Sequence, residues 1–153
     1  MNKGEFYEET VELESNRPVY TLGVAAQLAD IPAHSIRQYI DNGLLIPFKL
    51  ESKRHLFSQN DISRLKLIRE LIHEKGLNFA GVRTLMAMVP CWALRNCSLE
   101  DQKSCDAYTE NYIPCWMASA KGSLCKNVDC RNCEVYHALD LQAGIKSVLN
   151  TLL

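Results

Sequence analysis

The order of apolar and polar residues in the first half of the chain predicts short helices separated by turns. Thr21 is a suitable N-cap for a first helix, and a second short helix over residues 35–42 follows the interruption at residues 30–32. Gly43 stands where a helix commonly ends. Two short helices joined by a tight turn predict a helix-turn-helix. The apolar residues that recur at helical spacing in these two segments are Leu22, Ala25, Leu28, Ile36 and Ile40.

Two further helices are predicted between residues 58 and 90. Ser58 can cap the third helix and Asp61 places an acidic side chain in its first turn, before an apolar stripe that continues to about residue 75. The fourth helix covers about residues 79–88 and ends before Pro90, which cannot continue it. The apolar residues of the two stripes are Ile62, Leu65, Ile68, Leu71 and Ile72, then Val82, Leu85 and Met86.

Between the second and third helices, the segment LLIPFKLESKRHLFS predicts a short hairpin. Pro47 interrupts the chain there, and apolar residues stand on both sides of a basic stretch. A hairpin that follows a helix-turn-helix in this way forms a wing. The basic residues of the predicted wing are Lys49, Lys53, Arg54 and His55.

The pattern changes after Pro90. Residues 91–133 have little periodicity and no apolar stripe, so something other than apolar packing must fold this part of the chain. From about His137 the helical spacing returns and predicts a closing helix, whose apolar ridge is a reasonable dimer contact. That ridge comprises Leu141, Ile145, Val148, Leu149 and Leu152.

Charge is distributed unevenly along the 153 residues, although 17 basic and 18 acidic residues nearly balance. Residues 1–16 carry a net charge of −4, residues 17–83 carry ten basic and six acidic residues for a net +4, and the remainder carries −1. A basic middle section is what a small nucleic-acid-binding domain would carry.

The chain has no run of about 18 apolar residues, the length that a membrane helix needs. Its acidic N-terminus also lacks the apolar core of a signal peptide. We therefore expect a cytoplasmic protein with no membrane partner, in which thiols stay reduced.

Several spaced segments resemble the DNA-binding domain of the MerR family of bacterial transcription regulators. These are YTLGVAAQLADIPAHSIRQYIDNGLLIP, KRHLFS and DISRLKLIRELIHEKGLNFAGVRTL, which together cover roughly residues 19–88. RQYIDNGL and EKGLNFAGVRTL are similar to its heat-shock-repressor branch. The resemblance implies a homodimer that binds an inverted repeat in double-stranded DNA and, for many members, control by distortion of the promoter.

The second helix would present polar side chains to the DNA major groove, and the wing would reach the backbone or the minor groove. Arg37 and Gln38 can form paired hydrogen bonds to base edges. Two alternatives stay open: Tyr39 packs beneath the wing, and His55 is a solvated loop residue. The candidate DNA-binding residues are Thr21, His34, Ser35, Arg37, Gln38, Tyr39, Lys53, Arg54 and His55.

All seven cysteines lie within 43 residues, in two stretches that begin with Pro-Cys-Trp and end with Cys, an acidic residue, a small apolar residue and Tyr. In a reduced compartment, clustered cysteines more often hold metal than form disulfides. The second stretch has four cysteines, enough for one tetrathiolate site, and the first has three. The candidate metal ligands are Cys91, Cys97, Cys105, Cys115, Cys125, Cys130 and Cys133.

The order of cysteines, tryptophans and tyrosines in residues 91–136 resembles the two-CW cysteine module found on bacterial signalling proteins. Structural zinc sites usually pair two short CxxC knuckles, and only Cys130 and Cys133 form such a pair here. Irregular spacing with Trp92 and Trp116 nearby favours an iron–sulfur cluster shielded from water, with zinc as the alternative. Either tryptophan could equally be packed in a small core.

The sequence thus predicts a mainly α fold, with a winged helix-turn-helix DNA-binding domain, a small irregular Cys-rich metal-binding module and a C-terminal helix. The predicted ranges are an acidic extension at 1–18, the DNA-binding domain at 19–89, the module at 90–136 and the helix at 137–153. We expect a regulator that senses redox state, oxidant or metal supply. The alternative is a structural zinc module that recruits a partner protein. An enzyme is not expected, because no His with Asp or Asn is placed to activate a cysteine.

Overall fold

The structure is a computed structural model that describes residues 14–139 and 144–153. These residues divide into two compact units, with the boundary between Arg69 and Glu70. This boundary falls inside a helix, so it does not test the predicted domain limits, which stay predictions. Most of the predicted acidic extension, residues 1–13, lies outside the described residues.

The helix-turn-helix is formed by α1 (Leu22–Ala29) and α2 (Ala33–Asp41). The Thr21 side chain accepts a hydrogen bond from the backbone N–H of Val24 at 3.4 Å, which confirms its predicted capping role. Asp30 then takes a left-handed conformation with φ 55° and turns the chain. The predicted apolar face of α1 is partly wrong, because Ala25 and Ala29 are the buried residues and Leu28 is 46% exposed.

Helix α2 buries Ile36 completely and leaves 3% of Tyr39 exposed. Ile40 was predicted to be buried next to Ile36 but is only half-buried. Tyr39, three residues after Ile36, is the second buried side chain of the helix. Gly43 ends the helix with φ 74°, a conformation that glycine adopts at little cost. Its N–H donates to the Ile40 carbonyl at 3.0 Å.

The predicted wing is confirmed as an antiparallel hairpin of β1 (Phe48–Lys49) and β2 (His55–Leu56). Phe48 pairs with Leu56 and Lys49 pairs with His55. The next residue, Phe57, is fully buried and exchanges backbone hydrogen bonds of 2.8 and 2.9 Å with Tyr20.

Helix α3 (Gln59–His73) begins with the capping box that the sequence predicts. The Ser58 N–H donates to the Asp61 carboxylate at 2.8 Å, and the Asp61 N–H donates to the Ser58 hydroxyl at 3.1 Å. Ile62, Leu65 and Ile68 form the buried stripe, as predicted. Leu71 and Ile72 are half-buried rather than buried.

The second unit continues with α4 (Phe79–Ala87), which is capped by the Asn78 side chain and buries Val82 and Met86. Five short or moderate helices follow in the described residues, and two 3-10 turns lie among them. The helices are α5 (Cys91–Leu94), α6 (Leu99–Lys103), α7 (Asp106–Thr109), α8 (Glu134–His137) and α9 (Gly144–Leu152), and the 3-10 turns are Cys115–Met117 and Cys130–Asn132.

The predicted closing helix does not continue from His137, because residues 138 and 139 are not helical. α8 ends at His137, and the last helix begins at Gly144. Val148 is buried, whereas Leu149 and Leu152 are 43% and 40% exposed. Leu141 lies outside the described residues. None of the helices in the described ranges is long and apolar enough to cross a membrane.

Candidate DNA-binding surface and cysteine centre

The exposed face of α2 carries three of the predicted DNA-binding side chains. His34, Arg37 and Gln38 are exposed, and their spacing of three and four residues places them side by side on the helix. Ser35 is half-buried beside them. An arginine and a glutamine on one exposed helix face can hydrogen-bond paired acceptors and donors on base edges.

Tyr39 was predicted to contact DNA, and the structure places it in the core instead. Its side chain is only 3% exposed, so it cannot offer its ring to an external phosphate. Burial raises the pKa of the Tyr39 hydroxyl, and the nearby charge of Arg69 partly offsets that effect. This burial favours the alternative in which Tyr39 is a packing residue, and its contact with DNA stays a prediction.

The tip of the wing presents basic side chains to solvent. Lys53 and Arg54 are exposed, Lys49 is exposed on β1, and His55 is half-buried on β2. The Leu50 N–H donates to the Arg54 carbonyl at 2.8 Å, and Lys53 takes φ 64° to close the turn. Thr21 is exposed as well, with its hydroxyl oxygen committed to the cap of α1.

Two arginines of α3 link it to the helix-turn-helix. The Arg64 Nε–H donates to the Leu44 carbonyl at 2.8 Å, in the turn that connects α2 to the wing, and Arg64 is 7% exposed. Arg69 forms an exposed ion pair with Asp30 at 3.1 Å, at the end of α1. The burial of Arg64 was not predicted from the sequence, because a charged residue within an apolar stripe is expected to face solvent.

The two repeated cysteine stretches form similar local structures. In the first, the Trp92 and Tyr108 rings meet edge to face with centroids 5.5 Å apart. In the second, Trp116 and Tyr136 do the same at 5.1 Å. The doubled sequence pattern therefore corresponds to a doubled aromatic pair, and edge-to-face contacts of this kind stabilise small cores.

Each aromatic pair lines its own small cavity, and cysteines line both. Cys97 and Cys105 line only the first cavity, whereas Cys130 and Cys133 line only the second. Cys91, Cys115 and Cys125 line both. The cavities measure about 30 and 20 Å³, which is room for one or two water-sized guests.

Cys91 and Cys115, the cysteines of the two Pro-Cys-Trp sequences, are joined by a hydrogen bond between their side chains. This bond lowers the pKa of Cys91 to about 7, against the opposing effect of burial. The same bond, together with burial, raises the pKa of Cys115. Cys91 is therefore the more acidic thiol of the two, and its thiolate accepts a hydrogen bond from the Cys115 thiol.

Hydrogen bonds tie the two stretches together around Asp101. Its carboxylate accepts bonds from the Ser123 N–H at 3.0 Å and from the Ser123 hydroxyl at 2.6 Å, and its second oxygen accepts from the Ser98 hydroxyl at 2.8 Å. The bonds from Ser123 and Ser98 lower the pKa of the Asp101 carboxyl. Gly122 lies against the same residue: a Cβ there would meet the Asp101 carbonyl oxygen at 3.0 Å.

A second junction joins Asp106 and Ala120. The Asp106 N–H donates to the Ala120 carbonyl, and the Ala120 N–H donates to the Asp106 carboxylate, both at 2.9 Å. The two cysteine stretches therefore form one interlocked module. The sequence predicted one module at 90–136 from the repeat, but it does not show these contacts between the stretches.

Two cationic side chains lie against the sulfur atoms. The Lys121 ammonium donates to the Cys130 sulfur at 3.3 Å, and Lys121 lines both cavities. The Arg95 guanidinium donates to the Leu124 carbonyl at 3.3 Å, pairs with Glu134 at 3.7 Å, and acts electrostatically on the Cys125 thiol. Burial raises the pKa of the Cys125 thiol, and the charge of Arg95 offsets only part of that effect.

In the part of the chain that the structure describes, no three His, Cys, Asp or Glu side chains are spaced as a formed metal site. All seven cysteines are free and half-buried. The donor set nevertheless fits a soft metal or an iron–sulfur cluster, since thiols converge on the cavities and cations accompany them. The nearby His137 hydrogen-bonds to the backbone, since its Nε2 lies 2.7 Å from the Arg131 carbonyl oxygen.

Residues 20–89 match the family described as "MerR HTH family regulatory protein". Residues 20–89 are therefore similar to the helix-turn-helix domain of the MerR family. The predicted resemblance in this part of the sequence is confirmed, and so is the winged helix-turn-helix in a mostly helical chain. The match ends at residue 89, so the cysteine module lies outside it.

The chain is also similar to a protein named as a heat shock protein and to proteins named as transcriptional regulators. The Streptomyces coelicolor "Putative heat shock protein HspR" is 32% identical over 77 residues, 50% of this chain and 51% of that protein. The proteins named "HTH-type transcriptional regulator GlnR" of Bacillus anthracis and Bacillus cereus are 34% identical over 71 residues, 46% of this chain and 54% of theirs. The chain therefore spans about half the length of these curated relatives.

The sequence did not predict the residues that connect the two cysteine stretches or those that place positive charge near the sulfur atoms. Ser98 and Asp101 have the spacing of a capping box, which could have predicted α6 but not the bond from Ser123. Lys121 and Arg95 carry no sequence signal, because their interactions with sulfur join positions 9 and 30 residues apart.

Proposed function

We propose that this protein is a homodimeric transcription regulator that binds an inverted repeat in double-stranded DNA through its MerR-family domain. Support comes from the exposed face of α2 with Arg37 and Gln38 and from the basic wing tip with Lys53 and Arg54. Arginine and lysine on such surfaces neutralise phosphates and read base edges. The name of the GlnR relatives, HTH-type transcriptional regulator, supports the regulatory role in transcription.

The regulatory part of the proposal concerns the cysteine module. It binds an iron–sulfur cluster through cysteine thiolates, with zinc as the alternative metal, and responds to redox state, oxidant or metal supply. The observation that carries this proposal is the convergence of all seven cysteines on two adjoining cavities. The Trp116–Tyr136 pair, in which Tyr136 is 2% exposed, is suited to limiting the access of water at the second cavity, whereas Trp92 and Tyr108 at the first are 39% and 41% exposed.

Loss of the bound metal would act through folding. The module has short helices and few large buried apolar side chains, so metal–thiolate bonds would supply much of its folding free energy. Oxidation or removal of the cluster would therefore reshape residues 91–136. In a dimer that change would alter the spacing of the two DNA-binding domains and the geometry of the promoter.

The test begins with protein purified without oxygen. Its visible spectrum is recorded, and iron, acid-labile sulfide and zinc are measured per chain. Broad absorbance near about 400 nm with iron and sulfide is the expected result for a thiolate-held cluster. A colourless protein that holds zinc firmly would favour the alternative, a structural zinc module that recruits a partner protein.

Sensing is tested on DNA. A site selected from random duplexes by the anaerobic protein is titrated with protein before and after oxidation, at one fixed salt concentration. We expect the affinity or the output from a promoter carrying that site to change. If neither changes while the metal is lost, the module does not act as a sensor.

A further inference from the structure

Lys121 differs from the other lysines of the cysteine module in where its side chain lies. Lys103 and Lys126 are exposed, whereas Lys121 is half-buried and lines both cavities. Its ammonium donates a hydrogen bond to the Cys130 sulfur at 3.3 Å. Lysine usually keeps its charged group in water, so a half-buried ammonium needs a counter-charge nearby.

Sulfur is the partner that the described residues offer to this ammonium. The ion pairs found among them, such as that of Arg95 with Glu134 in the same module, do not include Lys121. A neutral thiol is a poor counter-charge, whereas a coordinated thiolate carries negative charge. The placement of Lys121 therefore fits a centre whose sulfur atoms are deprotonated.

The backbone on both sides of Lys121 is fastened to the first cysteine stretch. On one side, Ala120 exchanges two hydrogen bonds of 2.9 Å with Asp106. On the other side, the Ser123 N–H and hydroxyl donate to the Asp101 carboxylate at 3.0 and 2.6 Å. These bonds fix the course of the turn, so the fold itself directs the Lys121 side chain toward the cavities.

A hydrogen bond from a cation changes the chemistry of a coordinated sulfur. The bond draws electron density from the thiolate, which makes the sulfur a weaker nucleophile toward oxidants and alkylating agents. In an iron–sulfur cluster, hydrogen bonds to sulfur also shift the reduction potential. The Cys130 sulfur should therefore react more slowly with the Lys121 donor in place than without it.

We propose that Lys121 is a positioning residue that sets how readily the cysteine centre is oxidised, by donating a hydrogen bond to the coordinated Cys130 thiolate. Its positive charge also offsets part of the negative charge of the thiolates. This inference rests on the proposed binding of metal by the module. It adds a residue that is not itself a metal ligand but determines the amount of oxidant to which the module responds.

Hydrogen peroxide is the oxidant for which the step is written. The Cys130 thiolate gives two electrons to one peroxide oxygen, so that an S–O bond forms as the O–O bond breaks. The sulfur becomes a sulfenate, and the second oxygen leaves as water with both peroxide protons. A sulfenate is a poorer ligand than a thiolate, so the metal is released.

Cobalt(II) is the first probe, because its visible absorption reports tetrahedral thiolate ligation. Full-length reduced protein is loaded with cobalt(II) without oxygen and treated with iodoacetamide, and the modification of each cysteine is followed by mass spectrometry. Lys121→Met removes the charge and the donor but keeps the apolar stem, and Lys121→Arg keeps both. Lys126→Met is the control, since it removes an exposed charge from the same module.

We expect Cys130 to be alkylated about tenfold faster in Lys121→Met than in the natural protein, because a charge-assisted hydrogen bond is lost. Lys121→Arg should keep most of the protection, and Lys126→Met should behave as the natural protein does. Cys97, measured in the same sample, is the internal comparison, because loosening of the whole module would accelerate both cysteines. Lys121→Gln is a second uncharged variant, so the result does not depend on how one substitution folds.

The second measurement uses the oxidant. Zinc-loaded protein is treated with hydrogen peroxide without oxygen, and the released zinc is measured with a coloured chelator. Lys121→Met should release its zinc at a lower peroxide concentration than the natural protein and Lys126→Met. Release at the same concentration in all three would show that Lys121 does not set the threshold.

The alkylation rates separate the failure of this proposal from the failure of the proposed function. Equal Cys130 rates in Lys121→Met, Lys121→Gln and Lys126→Met would overturn the role of Lys121. An acceleration that Cys97 shares would overturn it as well, because it would show a purely structural effect. In both cases the bound cobalt leaves metal binding intact. A natural protein that binds no cobalt, iron or zinc would refute the proposed function, and the role of Lys121 with it.

Discussion

At the residue scale, α2 shows how neighbouring side chains divide between stability and recognition. Ile36 and Tyr39 are buried, and Arg37 and Gln38, which lie between them in sequence, are exposed. The buried pair fixes the rotation of the helix about its axis. That rotation determines which side chains are available to a ligand, so it favours Arg37 over Tyr39 as the DNA-contacting residue.

Arg37→Ala should weaken binding to the selected DNA site by about 1–3 kcal/mol, because it removes a paired hydrogen bond to a base edge. Affinity is measured by gel-shift titration at fixed salt. Lys126→Ala is the control, since it removes the same charge from an exposed position in the cysteine module. Equal affinities for Arg37→Ala and the natural protein would remove Arg37 from the interface.

The hydrogen bond between Cys91 and Cys115 makes a pH-dependent prediction for the reduced, metal-free protein. Because that bond lowers the pKa of Cys91 to about 7, its alkylation rate should rise with an inflection near that pH. Cys115→Ala removes the donor, and the inflection should move toward the ordinary thiol value of 9.0. Rates are measured for each cysteine by mass spectrometry, with Cys97, whose pKa burial raises, as the internal comparison. An unchanged inflection in Cys115→Ala would show that the bond does not set the pKa.

At the scale of elements, α3 organises the first unit. Its capping box fixes where the helix begins, and Arg64 connects its buried side to the turn between α2 and the wing. The helix thereby holds both parts of the proposed DNA-binding surface. The exposed ion pair of Arg69 with Asp30 adds little by comparison, because solvent screens it.

Arg64→Met should lower the free energy of unfolding by about 1–3 kcal/mol, because the Leu44 carbonyl loses its buried donor while the apolar volume is largely kept. Urea denaturation followed by circular dichroism measures the change. Lys66→Met, on the exposed side of the same helix, is the control and should have little effect. A matching loss in both variants would mean that the Leu44 bond contributes nothing specific.

The junction between the two cysteine stretches depends on a residue without a side chain. Gly122→Ala would place its Cβ 3.0 Å from the Asp101 carbonyl oxygen and 3.1 Å from the Asp101 Cβ, so Asp101 must shift by a few tenths of an ångström. We expect a lower thermal midpoint and weaker cobalt(II) binding. Gly23→Ala in α1 is the control: no atom lies within 4 Å of its added Cβ, and loss of a helical glycine should stabilise by about 0.5–1 kcal/mol. Normal cobalt affinity in Gly122→Ala would show that the junction can relax.

The sequence predicted the elements that local signals define. The caps at Thr21 and Ser58, the end of α2 at Gly43 and the wing all follow from residues within a few positions of each other. Burial was predicted less well. Leu28 is exposed and Arg64 is buried, because burial depends on which distant element lies opposite, and periodicity contains no information about that.

At the scale of the whole molecule, the amino-acid sequence predicted a regular helical part followed by an irregular cysteine part. The structure has these two parts in the same order. The candidate metal ligands were recognised from the sequence as a set, since clustered cysteines are a composition signal. Their placement was not, because Cys97 and Cys125 line the same cavity but belong to different repeats. A repeat in sequence is thus a poor guide to which thiols line one cavity.

The last helix makes a prediction about assembly. Ile145, Val148, Leu149 and Leu152 recur at helical spacing on one face of α9, yet Leu149 and Leu152 remain 43% and 40% exposed in the single chain. Burying such a ridge against a second copy removes apolar area from water, which contributes roughly 25 cal/mol per Å². A regulator that reads an inverted repeat also requires two copies of its DNA-binding domain, so α9 is the proposed dimer contact.

Leu149→Glu combined with Leu152→Glu should therefore shift the protein from dimer to monomer, because two carboxylates would have to be buried in the interface. Sedimentation velocity over a range of concentrations measures the molecular mass. Asn150→Glu/Thr151→Glu adds the same charge to neighbouring exposed positions of α9 and should leave the dimer intact. The monomer should also lose most of its affinity for the selected inverted repeat while keeping weak binding to a half-site, since the energy of the second domain is no longer available. A dimer that persists in the glutamate variant would place the contact elsewhere in the chain.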